Sequence, residues 1–331
     1  MNSLPELYPL RFHAAFERKI WGGNRIFKYK ELPSPYPDIG ETMEISPLPG
    51  YESTVSTGEL AGMKLTEVVA AYGKKLLGTH VLENYGGEFP LLVKLIDAHE
   101  TLSVQVHPSD DHAEKHHKKG KCESWYILGN TEDAKIYAGW AEAIDPDELP
   151  ERCKDDRIMN CLKAYSPKEG DLFYLPAGTI HTIGAGCLLM EIQQASDLTY
   201  RIYDFNRKGS DGKCRDLHLQ EAIEVLNYST EDIPYVPSDR EVKEQRKTLL
   251  ETPYFNIGVL SFSSQYLYEL EERDSFTILF VDQGEVMMEY PHGVEQLRKG
   301  DFLLIPASLK TCNLMPISES VKLVDCYVPG C

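Results

Sequence analysis

PLLVKLIDA (90–98) and TLSVQVHP (101–108) follow one another in this chain, and their patterns decide the fold. The first run is apolar apart from its acidic end and one lysine, as a strand buried on both faces reads. The second alternates with period two. Leu102, Val104 and Val106 point one way and Ser103, Gln105 and His107 the other, because successive strand residues face opposite sides. One face is aliphatic and the other is a polar row. In a closed barrel, the lumen is the natural place for such a row.

Further strands follow on both sides. ESWYILG (123–129), AKIYAGW (134–140), GDLFYLPAGTIHTI (170–183), GCLLMEIQQ (186–194) and TYRIYDF (199–205) read as strands broken by turn residues. MKLTEVVAAYGKKLLGTH (63–80) predicts one helix, since Leu65, Val68, Val69, Tyr72 and Leu76 recur at helical spacing. Residues 110–121 predict a short helix and turn, 141–164 a helical excursion, and 216–226 another helix. The polar stretch 230–248, with two prolines, predicts a linker. The last 80 residues return to short strands.

A repeat joins the two halves. GDLFYLPAGTIH (170–181) matches GDFLLIPASLKT (300–311) at a constant offset of 130. In both copies Gly-Asp suits a tight turn into a strand and Pro suits its end. The prediction is a mainly β chain of two similar barrels with a few helices. Residues 1–229 form the first domain, 230–244 a linker and 245–331 the second domain. Thr311 stands where the first copy has His181, and no Q-x-H string precedes it. The second barrel is therefore predicted to be metal-free, with an interior filled by side chains such as Phe280, Leu303 and Leu304.

The bulk numbers agree. A length of 331 residues suits two domains at roughly 150 residues each. A net charge of −18 argues against nucleic-acid or anionic-membrane surfaces, which need basic patches. The opening residues have no signal-type apolar core, and no run of 18 apolar residues exists. Eight scattered cysteines without a C-x-x-C pair predict reduced thiols and a cytoplasmic setting.

Of ten histidines, His107 and His181 end strands of alternating pattern. Gln105 shares a face with His107, and Glu123 heads the next strand. Two imidazoles, a carboxylate and an amide oxygen suit a borderline divalent ion such as zinc. Taken alone, His107 also reads as a satisfied core histidine and His181 as a turn residue. Arg201 with Asp197 reads either as an oxyanion partner in the barrel or as a surface ion pair. Lys94 and Lys121 raise the same question. A lysine inside an apolar run is costly without a partner, so Lys94 is predicted to face an anion or a wet cavity.

The ordered strings PLLVKLIDA…LSVQVHP, KCESWY, LPAGTIHTIG and EIQQASDLTYRIYD resemble the type I, zinc-dependent mannose-6-phosphate isomerase family in its short bacterial form. RKIWGG (18–23) and GETMEIS (40–46) resemble that family's opening segment. The likeness is dense over about residues 5–225. It implies two cupin (jelly-roll-like) barrels and one zinc ion per chain, held by Gln105, His107, Glu123 and His181. It implies Arg201 as a catalytic residue and places Lys94, Ser103, Lys121 and Asp197 around the pocket. Lys121 and Asp197 become candidates for proton transfer, and Lys94 with Ser103 for phosphate. The large helical insertion of longer family members is missing here. The reaction implied is interconversion of mannose 6-phosphate and fructose 6-phosphate through an enediolate stabilised by zinc. Two rival readings are an iron cupin dioxygenase and a non-catalytic sugar-binding cupin protein.

Overall fold

A computed structural model describes residues 4–209, 211–238 and 244–330. The chain is mainly β and forms two sandwiches of antiparallel sheets. In the first, a seven-stranded sheet faces a five-stranded one. An interior strand of the larger sheet, Leu91–Ala98, pairs along its whole length with the central strand, Cys187–Gln194, as its largely apolar pattern requires. Between the sheets lies a core that includes Trp21, Trp125, Ile127, Phe173 and Leu189. The second sandwich packs a five-stranded sheet on a four-stranded one around residues such as Leu279, Met288, Leu303 and Leu323.

Several elements differ from the sequence prediction. The helix over 63–80 is three short helices, Leu65–Tyr72, Lys74–Leu77 and Thr79–Asn84. Gly73 and Gly78 separate them, each at a positive φ that ends a helix. A Cβ on Gly78 would collide with the carbonyl of Asp274, so the break also brings the helices against the second barrel. There the Asp274 carboxylate accepts the backbone N–H groups of Thr79 and His80. The strand within 101–108 covers only Val104–Val106, and the helix within 216–226 only Leu219–Val225. His218 still donates its backbone N–H to Arg201, which delays the helix. Inside the predicted linker, Tyr235–Val236 form an edge strand on Leu172–Phe173. Residues 239–243 of that linker lie outside the described residues.

The largest apolar cluster lies between the sandwiches. It unites Leu91, Val93 and Leu95 with the three helices and with Ile257, Ile278, Phe280, Leu304 and Val324. Contrary to the prediction, Phe280 and Leu304 do not fill the second barrel, although Leu303 does. They alternate with inward Leu279 and Leu303 and point at the first barrel instead. Leu10 and Leu304 exchange backbone hydrogen bonds across the junction. Asp282 of the second barrel accepts from the hydroxyls of Tyr29 and Tyr126 at 2.8 and 2.9 Å.

More than five apolar side chains of the second barrel close this seam. At roughly 1.5–3 kcal/mol per buried side chain, they rival the whole stability of an ordinary domain, about 5–15 kcal/mol. A chain ending at residue 238 is expected to aggregate or lose fixed packing, and to lose activity. Near-ultraviolet circular dichroism and an isomerase assay on that fragment check this. A soluble, native-like and fully active fragment would remove the supporting role from the second barrel.

Candidate metal centre and its pocket

Gln105 and His181 are register partners of two antiparallel strands in the five-stranded sheet. His107 follows the first of these strands directly. Glu123 opens the strand Glu123–Asn130 in the facing sheet, opposite Leu175. The sandwich thus brings together residues that are up to 76 positions apart. His181 Nε2 lies 3.1 Å from Glu123 Oε1, and His107 Nε2 lies 3.3 Å from Oε2.

The other ring nitrogens set the orientation. His107 Nδ1 is 2.9 Å from the carbonyl of Leu198, and His181 Nδ1 is 2.8 Å from that of Thr179. A carbonyl can only accept, so each Nδ1 carries a proton and donates it, and Nε2 is the nitrogen each ring turns toward Glu123. Burial, reinforced by Lys121, pushes the His107 pKa down to about 3. Burial opposes the charge on Glu123, but the Lys121 ammonium beside it outweighs this and holds its carboxyl well below the usual range. The neutral His107 ring therefore turns its Nε2 lone pair to a carboxylate.

His107 Nε2 and both Glu123 oxygens are buried without a well-formed hydrogen bond, and Oε2 has only the Lys121 ammonium, 3.0 Å away. Buried acceptors aimed at one another are costly, and a cation among them removes the cost. The three ligating atoms lie within 4.8 Å of one another. The Gln105 amide sits 3.3 Å from His181 Nε2, and a half-turn of the amide presents its oxygen as a fourth donor. This nitrogen and oxygen set fits a borderline divalent ion. The Trp125 ring packs edge-on against His181, with centroids 5.4 Å apart.

A cavity of about 250 Å³ opens beside Gln105 and Lys121. Lys121 is buried, with Nζ 3.0 Å from Glu123 Oε2. Lys94 faces the same cavity, with Nζ 3.2 Å from Glu191 Oε1. Burial works against its charge, but Glu191, Glu41 and Glu123 more than offset this and raise its pKa. Ser103 is buried in the wall, and Asp197 is exposed at the rim.

Arg201 stands opposite Gln105 in the strand register. One of its terminal nitrogens donates to the Asp216 carbonyl at 3.0 Å, while its buried Nε has no partner. Burial and then Arg215 lower its pKa. Arg201 is a cation short of counter-charge at the pocket wall. No ion pair joins it to Asp197 among the described residues, so the surface-pair reading does not describe it.

Sequence reasoning did not single out Lys19, Trp21, Glu41, Tyr51 or Glu191, all of which line the cavity. Lys19 and Trp21 alternate along Ala15–Gly23, whose partner strand carries Glu41. That alternation in 15–23 was the available signal. Burial opposes ionisation of Glu41, but Lys94, Lys19 and Lys121 hold its pKa low.

The comparisons fit this geometry. The family model for the phosphomannose isomerase type I catalytic domain matches residues 10–134. Mannose-6-phosphate isomerase of Bacillus subtilis is 35% identical over 321 residues, covering 95% of this chain and 98% of the relative. That of Streptococcus mutans is 34% identical, covering 92% and 94%. A crystal structure of mannose 6-phosphate isomerase from B. subtilis superposes with a TM-score of 0.84 at 29% identity, covering 97% of this chain and 99% of that one. Identity at this level over nearly the full length, on the same two-sandwich fold, means that this chain belongs to the type I phosphomannose isomerases, a family of aldose–ketose isomerases.

Proposed function

We propose that this chain interconverts mannose 6-phosphate and fructose 6-phosphate, with one zinc ion held by Gln105, His107, Glu123 and His181. The observation that carries the metal assignment is the buried cluster in which two imidazole nitrogens converge on one carboxylate. Zinc, when bound, supplies Lewis acidity toward a substrate oxygen. Everything else falls to the chain's own side chains. Moving a proton between C1 and C2 of the sugar puts negative charge on the adjacent oxygen. Arg201, with spare positive charge at the wall, stabilises that oxygen. Lys121, beside Glu123, and Asp197, at the rim, are the groups assigned to hold and move the proton. Conversion of mannose 6-phosphate by the purified chain, with and without a chelator, tests the whole reading.

Lys94 and the Ser103 hydroxyl are assigned to the phosphate. The carboxylates around Lys94 keep it charged, and a charged donor is what a phosphate oxygen takes up best. Lys94→Gln is expected to raise KM about 10–100-fold, since a hydrogen bond to a charged group is worth about 1.5–3 kcal/mol. Zinc content should not change. A lowered kcat at unchanged KM would move Lys94 to the reacting end of the sugar.

The relatives and the pocket's cations give no support to an iron dioxygenase or to a non-catalytic sugar binder. In this proposal residues 1–229 carry the reaction, 230–244 connect, and 245–331 form a metal-free support. The setting is the cytoplasm, supported by seven described cysteines that are all free thiols. No described helix is long and apolar enough to cross a membrane.

A further inference from the structure

The strand registers align the second barrel with the first, residue by residue. Leu175 pairs with Glu123, and its repeat partner Ile305 pairs with Thr277. His181 pairs with Gln105, and Thr311 pairs with Glu269. Thr277, Thr311 and Glu269 thus hold the positions of Glu123, His181 and Gln105. Farther along, Glu191 pairs with Lys94 and Trp125, whereas Asp325 pairs with Gly258 and Leu279. The second barrel has kept a buried acid at the Glu191 position and has lost every imidazole of the metal set.

Two arginines supply the missing cations. Gly258 leaves open the space where the first barrel has Lys94, and the Arg246 guanidinium lies in it against Asp325, at 2.7 Å to each carboxylate oxygen. Arg273 donates to Thr277 Oγ1 at 3.1 Å and to Asp325 at 3.0 Å. It also stacks on Tyr327, 4.4 Å from the ring centroid. A fixed guanidinium therefore bridges the positions of Glu123 and Glu191, so this end of the barrel carries its positive charge covalently.

These groups do not close the space. A cavity of about 590 Å³ remains, lined by Arg246, Arg273, Thr311, Tyr327 and Glu269. That volume is in the range of small-molecule sites. Four carboxylates (Asp325, Glu269, Glu271 and Glu272) stand against the two guanidinium groups, an excess of two negative charges that disfavours a phosphate. Guanidinium donors beside carboxylate acceptors are what vicinal hydroxyls require, since each hydroxyl both donates and accepts.

We propose that the mouth of the second barrel is a metal-independent binding site for a neutral polyhydroxylated ligand of monosaccharide size. This site is separate from the catalytic pocket, and its binding readout does not depend on the catalytic assignment, with turnover serving only as a control. D-mannose serves as the neutral probe, titrated into the zinc-loaded chain and followed calorimetrically. Thr311→Trp fills the cavity from an exposed strand end. Glu269→Ala removes an acceptor with less bulk and covers the case in which the tryptophan variant fails to fold. Each is expected to weaken D-mannose binding at least tenfold, with turnover of mannose 6-phosphate and zinc content unchanged in the same samples. Absence of D-mannose binding to the wild-type chain overturns the proposal, as does wild-type binding in Glu269→Ala or in a folded Thr311→Trp. Binding of mannose 6-phosphate more tightly than mannose, sensitive to the same substitutions, overturns the assignment to a neutral ligand.

Discussion

Arg201→Ala should lower kcat about 10²–10³-fold, the usual loss when a donor to a developing oxyanion is removed. Zinc content and thermal stability should stay near wild type. Among the described residues no carboxylate is ion-paired with Arg201, and its buried Nε is unsatisfied, so its removal strands no direct counter-ion. A group that matters only when charge develops affects kcat and kcat/KM alike. Arg201→Lys should recover part of the rate, because the charge returns without the planar fork. Steady-state kinetics with metal analysis on the same preparations decide the matter. A variant within about twofold of wild type would show that the guanidinium serves the fold alone, through its bond to the Asp216 carbonyl.

Stripping the metal should abolish turnover altogether, and a divalent ion should restore it. His181→Ala should lose both zinc and activity, since its Nε2 is one of the three converging ligand atoms. Glu123 and His107 are then left facing each other with one partner fewer. The pH dependence has a definite sign. Binding requires neutral imidazoles and an ionised carboxylate, so protons compete with zinc and affinity falls as pH falls. Titration of zinc against a competing chelator across a pH series measures this, and counting the metal in intact protein should give one ion per chain. A stoichiometric metal in His181→Ala would mean that the ligands lie elsewhere. Two ions per chain would mean that the second barrel binds one as well.

Where a single periodicity was present, the sequence was readable. The strand Leu91–Ala98 showed as a run apolar except for Lys94 and Asp97 because both of its faces are covered. Gln105 and His107 could be placed on one face because strand geometry allows nothing else. Errors arose where a longer-range contact overrode the local pattern. The helix over 63–80 keeps its apolar spacing through Gly73 and Gly78, so periodicity alone could not show the breaks. Phe280 and Leu304 are apolar whichever way they point, and only the seam between the barrels assigns them outward. Lys19 and Glu41 reach the pocket from strands far upstream of the metal residues. The Arg273–Asp325–Arg246 cluster carries no motif at all, because it is assembled by register between strands of a second domain.

The seam between the barrels also constrains synthesis. Leu10, near the start of the chain, finds its backbone partner only at Leu304, and the apolar helices over 65–84 are covered in part by residues beyond 250. Ribosomes add roughly 5–20 residues per second, so this greasy face stays bare for several seconds after the catalytic strands have emerged. During that interval the nascent polypeptide is a natural client for chaperones, and premature termination anywhere before the final strand, Val321–Tyr327, releases a sticky product.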